Sequence, residues 1–163
     1  MTRPEGAGAE GRVAVDVTVD APVDRVFEAF SQWSEQGRWL TGTRVEVRVG
    51  DGASVGSELA AWTGAGPAGF WDTMVITRWE PPYRVDVVHT GRVLRGTAVV
   101  EVLALPGGRS RVTWTETLEL PLGRLGRLGW PLARPGFVLG LRRSLEAFAR
   151  LVERGYLLRS ASR

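Results

Sequence analysis

The stretch from residue 92 to residue 120 reads RVLRGTAVVEVLALPGGRSRVTWTETLEL, and its pattern decides the fold. Apolar and polar residues largely alternate on both sides of Pro106-Gly107-Gly108, which is typical of two strands joined by a tight turn. Because successive side chains of a strand point to opposite faces, one face of this hairpin is apolar and the other is polar. We predict that the apolar face lines the concave side of an antiparallel sheet, with the polar face in water.

Further alternating segments precede this hairpin and are separated by turns rich in Gly and Pro. They indicate earlier strands over residues 12–19, 44–49, 57–63, 70–79 and 84–90. With the hairpin, the prediction is an antiparallel meander of about seven strands. Asp20-Ala21-Pro22 predicts the start of a short helix after the first strand. A second short helical segment is expected over residues 34–40.

The last third of the chain changes to a helical period. Apolar residues recur on one face of a predicted long amphipathic helix that begins near residue 136. These residues are Phe137, Leu141, Leu145, Phe148 and Val152. The preceding segment, residues 120–136, is rich in Gly, Pro, Leu and Arg, and its pattern leaves its conformation open.

Several short motifs resemble those of a known family. They are Ala21-Pro22-Val23-Asp24-Arg25-Val26-Phe27, Trp39, Val55-Gly56-Ser57, Trp79-Glu80-Pro81-Pro82-Tyr83-Arg84 and Arg111-Val112-Thr113-Trp114. Together they resemble the polyketide cyclase/dehydrase and lipid-transport group of the START-like (SRPBCC) superfamily, across about residues 12–155. The resemblance implies an α+β helix-grip fold, in which a curved antiparallel sheet wraps around a long C-terminal helix and leaves a cavity between them.

Length and composition favour one globular domain. The chain has 163 residues, of which 44% are hydrophobic and 24% are charged. We expect a disordered tail over residues 1–11, a single START-like ligand-binding domain over residues 12–155 and a C-terminal tail over residues 156–163. No apolar run is long enough to cross a membrane, and the first residues do not resemble a secretory signal, so we expect a cytoplasmic location.

Composition also argues against several kinds of site. The chain has no Cys, which excludes disulfides, Cys-zinc sites and Cys nucleophiles. Its net charge of +3 comes with no basic run interleaved with aromatic residues, so we expect no nucleic-acid partner. The Gly-rich stretches 50–56 and 64–69 match neither phosphate-binding nor dinucleotide-binding loops, and we expect no cofactor. One His cannot make a conventional zinc site, so we expect no metal.

Three polar side chains are predicted to point into the apolar interior: Asp72, His89 and Glu116. A buried carboxylate is costly, so Glu116 requires a partner such as an Arg near the cavity mouth, a shifted pKa or a wet cavity. Unless an Arg approaches it, Glu116→Gln is expected to be neutral or stabilising at pH 8. His89 is either a general base or a residue of the cavity rim. Asp72 either points inward or caps the preceding turn.

We expect the protein to bind a small hydrophobic molecule, such as a lipid, a polyketide or an isoprenoid-like compound. The cavity should measure about 300–1,000 Å³, and the small residues Gly96 and Ala98 should leave part of it open. The predicted ligand-binding residues are Asp72, His89, Leu94, Ala98, Val100, Trp114, Glu116, Leu118, Phe137 and Leu141. One alternative is an enzyme of the cyclase/aromatase kind, in which Glu116 or His89 transfers a proton. A second alternative is a non-catalytic interaction domain with a dry core.

Residues 120–136 suggest a further partner. Leu122, Leu125 and Leu128 recur at a spacing of three beside a row of arginines that includes Arg124 and Arg127. Such an apolar edge next to the cavity mouth could serve as a mobile lid or make transient contact with an anionic membrane. The alternative is a tethered loop packed against the start of the helix.

Overall fold

The structure is a computed structural model, and it describes residues 10–120 and 124–155. Seven antiparallel strands form one open, curved sheet with the strand order β1-β7-β6-β5-β4-β3-β2. The strands are β1 (Glu10–Val19), β2 (Thr43–Val49), β3 (Glu58–Ala65), β4 (Ala68–Glu80), β5 (Arg84–Thr90), β6 (Arg95–Leu105) and β7 (Arg109–Glu119). The helices are α1 (Val23–Phe30), a short 3₁₀ helix (Trp33–Arg38) and α2 (Arg124–Glu153). The predicted helix-grip α+β fold is confirmed.

The β6–β7 hairpin has the predicted turn. Leu105 pairs with Arg109, so Pro106, Gly107 and Gly108 form the connection. Both glycines have positive φ, 80° and 72°, a conformation that residues with a side chain rarely adopt. The alternation on both strands then places Ala98, Val100, Val112 and Glu116 on the buried face.

Two tryptophans of strand β4 lie on opposite faces of the sheet because the strand contains a register shift. Its pairing with β5 shifts between Ile76 and Arg78, so one extra residue interrupts the alternation. Trp71, before the shift, is 38% exposed on the outer face, with the Arg48 guanidinium 4.8 Å from its ring centroid. Trp79, after the shift, lies on the inner face, where its ring centroid is 5.2 Å from that of Phe27.

The C-terminal part of α2 packs against the concave face of the sheet through the predicted apolar stripe. Leu141, Leu145, Phe148 and Val152 are all buried. The Phe148 ring centroid lies 5.0 Å from that of Trp39. This aromatic contact joins α2 to the segment after the 3₁₀ helix and encloses the core there.

Helix α2 begins at Arg124, so the prediction that it starts near residue 136 is wrong. Pro131 and Pro135 lie inside the helix, where each lacks the N–H that would bond four residues back. In the same part of the helix, the Trp130 and Phe137 rings contact each other at a centroid distance of 6.2 Å. Residues 121–123, part of the predicted lid segment, lie outside the described residues. No helix in the described ranges is long and apolar enough to cross a membrane.

Candidate functional site: a cavity with a buried Asp–His–Glu cluster

A cavity of about 620 Å³ lies between the concave face of the sheet, the 3₁₀ helix and α2. Its volume falls within the range predicted from the sequence and usual for small-molecule sites. The dry-core alternative requires that no such cavity exist, and the structure contradicts it. All the predicted pocket residues except Leu118 line the cavity, and these are Asp72, His89, Leu94, Ala98, Val100, Trp114, Glu116, Phe137 and Leu141.

Leu118 was predicted to line the cavity, but the structure places it elsewhere. It is buried, but it is not among the described residues that line the cavity. It pairs with Gly11 of β1 and Gly96 of β6, two residues beyond Glu116 along β7. The Trp130 ring lies so close to Gly11 that a Cβ there would be 2.6 Å from it. This end of the sheet is therefore filled by packing.

The opposite wall of the cavity was not predicted from the sequence. It is formed by the end of α1, the 3₁₀ helix and strands β2 and β3. The wall residues include Phe30, Trp33, Gln36, Leu40, Val45, Leu59, Ala61 and Thr63. The alternation of Leu59, Ala61 and Thr63 along β3 could have predicted them, because they share one face of that strand.

His89 lies at the centre of a buried polar cluster in the cavity wall. Its Nδ1 is 2.8 Å from Oδ2 of Asp72, and its Nε2 is 3.2 Å from Oε2 of Glu116. The indole Nε1 of Trp114 donates to the other Glu116 oxygen, Oε1, at 2.8 Å. Asp72, His89 and Glu116 are each at most 6% exposed. We call these three residues the acid–histidine cluster.

The sheet topology brings the cluster together from three strands. Asp72 on β4 and His89 on β5 lie on neighbouring strands, since Met74 is the register partner of His89. Glu116 lies on β7, and strand β6 separates it from His89 on β5.

Two small β6 residues allow the contact across that strand. Gly96 is the register partner of His89, and Ala98 is the partner of Glu116. Their minimal side chains leave room above β6 for the imidazole to reach Glu116. Gly96 is required for a second reason, because its φ is +128° and a Cβ there would lie 2.0 Å from the Thr117 carbonyl oxygen.

The electrostatics of the cluster favour a charged imidazole. Burial lowers the pKa of His89, but hydrogen bonds to Asp72 and Glu116 and the negative charges of both carboxylates outweigh burial and raise it from 6.5 to about 9. At neutral pH both ring nitrogens then carry protons and donate to carboxylate oxygens. This protonation state gives each ring nitrogen a suitable acceptor.

One atom of the cluster remains unpaired. Oδ1 of Asp72 is buried and has no hydrogen-bond partner among the described residues. It lies beside the turn between β5 and β6, since a Cβ at Gly91 would be 3.2 Å from it. Buried carboxylate oxygens are normally satisfied, so this unpaired acceptor is an unusual feature of the cluster.

The structure shows the position and the partners of these three side chains. Glu116 does have a partner, but the partner is His89 and not an Arg. His89 is buried in the wall and does not lie at an exposed rim. Asp72 points inward to His89 and does not cap the preceding turn. The described residues contain no group of His, Asp and Glu arranged to hold a metal ion.

Comparison with known protein families gives one match across nearly the whole chain. The family model described as polyketide cyclase/dehydrase and lipid transport matches residues 10–153. No curated protein matches the chain. The family match covers every element of the fold described above.

Solved structures share the fold at low sequence identity. TTHA0849 from Thermus thermophilus has a TM-score of 0.74 and 18% identity, with 93% of this chain and 100% of that chain covered. A norcoclaurine synthase point mutant from Thalictrum flavum, in complex with a transition-state analogue, has a TM-score of 0.68 and 15% identity, with 93% and 99% covered. An AHSA1-like protein from Aeromonas hydrophila has a TM-score of 0.62 and 22% identity, with 90% and 95% covered. At these identities the likeness establishes the fold alone.

Proposed function

The chain belongs to the polyketide cyclase/dehydrase and lipid transport family, and from this premise we propose that it binds a small hydrophobic molecule between the sheet and α2. The observation that carries the proposal is the cavity of about 620 Å³. Most of its wall is aliphatic or aromatic, with the acid–histidine cluster as a localised polar region. Such a site suits a largely apolar molecule with one polar end.

The size of the cavity fits this class of ligand. Burying apolar surface contributes about 25 cal/mol per Å², so a two-ring or longer apolar body gains several kcal/mol by entering. Phe30 and Trp114, with ring centroids 5.5 Å apart, offer aromatic surface to such a body.

Filling the cavity tests the proposal. Ala98 lines the cavity, and Ala98→Phe would place a ring in it. Val99 lies next to Ala98 on β6 and faces the other side of the sheet, so Val99→Phe is the matched control. The probe is 2-naphthaleneethanol, titrated by calorimetry. We expect Ala98→Phe to weaken binding at least tenfold and Val99→Phe to leave it within twofold. Equal binding by both variants would contradict binding in this cavity.

Catalysis of the cyclase or aromatase kind is the second candidate function. The observation that favours it is His89, held between two carboxylates in the wall of an apolar cavity. Norcoclaurine synthase, which shares the fold, is named as an enzyme. Because the pKa of His89 is about 9, its protonated ring is better suited to donate a proton than to accept one at neutral pH.

A turnover measurement distinguishes binding alone from catalysis. If the protein is an enzyme, His89→Ala and Glu116→Gln abolish conversion of a candidate polyketide substrate while the probe still binds. Thr90→Ala, one residue along β5 on its exposed side, is the control and leaves conversion unchanged. If wild-type protein binds the polyketide and returns it unaltered, binding alone is supported.

We also propose that the exposed face of α2 contacts an anionic membrane during ligand transfer. Leu125, Leu128, Leu132 and Leu139 are all exposed, and their spacing places them on one side of the helix. Between Glu119 and Glu146 the chain contains five arginines and no acidic residue. An apolar helix face within a basic segment suits the interface of an anionic bilayer.

Flotation with vesicles of phosphatidylglycerol and phosphatidylcholine tests the membrane contact. We expect binding at low salt that weakens at about 0.5 M salt, because the arginine contribution is screened. Leu128→Ser/Leu132→Ser should abolish binding. Leu103→Ser, at an exposed leucine on β6, is the control and should retain it. Binding that is unchanged in Arg127→Ser/Arg134→Ser would contradict the proposal, as would leucine-dependent dimers without vesicle binding.

A further inference from the structure

We propose that the cavity selects ligands whose polar end is a cation, such as a protonated amine, and that this end pairs with Asp72. The inference rests on the proposed binding function and adds the chemical class of the ligand. Its structural basis is the geometry of the acid–histidine cluster, which contains two carboxylates and one imidazole in a buried wall.

The charge count of the cluster leaves a surplus. The cluster contains two acidic groups and only one basic group. Each ring nitrogen of His89 is used by one carboxylate, so the imidazolium has no further N–H to donate. A surplus charge in an apolar cavity is poorly solvated, and a cationic ligand would neutralise it.

The unpaired oxygen identifies the carboxylate that has an unused acceptor. Both Glu116 oxygens are used, one by His89 and the other by Trp114. Asp72 uses Oδ2 for His89, whereas its Oδ1 is buried without a partner among the described residues. Asp72 lines the cavity. We therefore infer that an ammonium group entering the cavity pairs with the Asp72 carboxylate, whose Oδ1 has no competing donor among the described residues.

Arg143 is the remaining charged residue among those described as lining the cavity. It belongs to α2, and its side chain is exposed. Water screens an exposed guanidinium strongly, so it offsets little of the buried surplus. The other polar side chains of the wall, including Gln36 and Ser144, are neutral. The opposite hypothesis, a carboxylate ligand bound to Arg143, can be tested with the same experiment.

Three probes with one naphthalene body and different polar ends test the proposal at pH 7 by calorimetry. They are 2-(2-naphthyl)ethylamine, 2-naphthaleneethanol and 2-naphthylacetic acid, which present an ammonium, a hydroxyl and a carboxylate. We expect the amine to bind at least tenfold more tightly than the alcohol, and the acid more weakly than the alcohol. Equal affinities, or tightest binding by the acid, would overturn the proposal.

Variants test whether Asp72 causes the preference for the amine. Asp72→Asn should reduce the amine-to-alcohol affinity ratio to within threefold, whereas Arg143→Gln should leave the ratio unchanged. If Asp72→Asn does not fold, Gly91→Ala serves instead, because its methyl group would crowd Oδ1 at 3.2 Å without removing a charge. An unchanged ratio in the folded Asp72 or Gly91 variant would overturn the assignment. Failure of all three probes to bind would instead count against the proposed function, so the two failures are distinguishable.

Discussion

Asp72 and His89, which are 17 residues apart in the chain, are joined by a 2.8 Å hydrogen bond between neighbouring strands. The bond runs from Nδ1 of the ring to Oδ2 of the carboxylate, and both side chains are buried. It fixes the orientation of the imidazole, so that Nε2 points across β6 towards Glu116. Because both carboxylates contact the same ring, we expect a change to either of them to affect His89.

The first prediction concerns the titration of His89. Its two carboxylate partners stabilise the protonated ring, so we expect a pKa of about 9. His89 is the only His in the chain, so the imidazole signals in a ring-proton NMR titration all come from this residue. Asp72→Asn should lower the midpoint, while Asp24→Asn, on the distant helix α1, should not. A midpoint near 6.5 in the wild-type protein would contradict the charged cluster.

The second prediction is a loss of stability at alkaline pH. The pKa of His89 is raised on folding, so its stabilisation is complete below 6.5 and is lost as the pH rises through about 9. The free energy of unfolding should fall by about 3 kcal/mol between pH 6 and pH 10, as measured by urea denaturation. The chain has no Cys and no Lys to titrate in this range. A His89→Gln variant should lose most of this dependence, and a wild-type profile that is flat would contradict the prediction.

The third prediction reverses one made from the sequence. The sequence predicts that Glu116→Gln is neutral or stabilising at pH 8 unless an Arg approaches Glu116. The structure places a protonated His89 and the Trp114 indole against the two carboxylate oxygens. A glutamine offers only one acceptor, so one donor loses its partner. We expect destabilisation of about 1–3 kcal/mol at pH 7 in urea denaturation. Glu119→Gln, exposed on the same strand, should change stability by less than about 0.5 kcal/mol.

The sequence predicted which side chains face inward but not which of them touch. Alternation along β5 and β7 is enough to place His89 and Glu116 on the concave face. The contact between His89 and Glu116 depends on two features that the alternation pattern does not reveal. One is that β6 lies between these strands, and the other is that its residues at this level, Gly96 and Ala98, are small. The sequence therefore predicted that Glu116 requires a partner, a shifted pKa or a wet cavity, and the partner it suggested was an Arg.

The start of α2 was missed for a different reason. Gly129, Pro131, Pro135 and Gly136 all have low helix propensity, so a local pattern predicts no helix there. The helix forms because Trp130 can pack over Gly11 of β1, a contact between residues far apart in sequence. Tertiary packing outweighs local propensity in this segment, and a local sequence pattern cannot reveal it.

The fourth prediction compares two glycines. Gly96 has a φ of +128°, and a Cβ there would lie 2.0 Å from the Thr117 carbonyl oxygen. Gly96→Ala should therefore destabilise the protein by more than about 3 kcal/mol, or prevent folding, because the backbone of β6 or β7 must move. Gly129 lies inside α2, and a Cβ added there would meet no atom within 4 Å. Gly129→Ala should stabilise the protein by about 0.5–1 kcal/mol in thermal denaturation. If both substitutions had the same sign, the account of Gly96 would be wrong.

The last prediction isolates the Trp114 hydrogen bond from the bulk of its ring. Trp114 donates from Nε1 to Oε1 of Glu116 at 2.8 Å, and its ring lies edge-to-face with Phe30. Trp114→Phe keeps an aromatic ring but removes the donor, so Glu116 loses a charge-assisted bond. We expect a loss of about 1.5–3 kcal/mol in urea denaturation at pH 7. With one donor fewer, Glu116 should interact more strongly with His89, so the NMR midpoint of His89 should rise. Trp71→Phe, on the outer face, is the control and should leave that midpoint unchanged. A lowered midpoint in Trp114→Phe would show that the indole supports the charged histidine by another route.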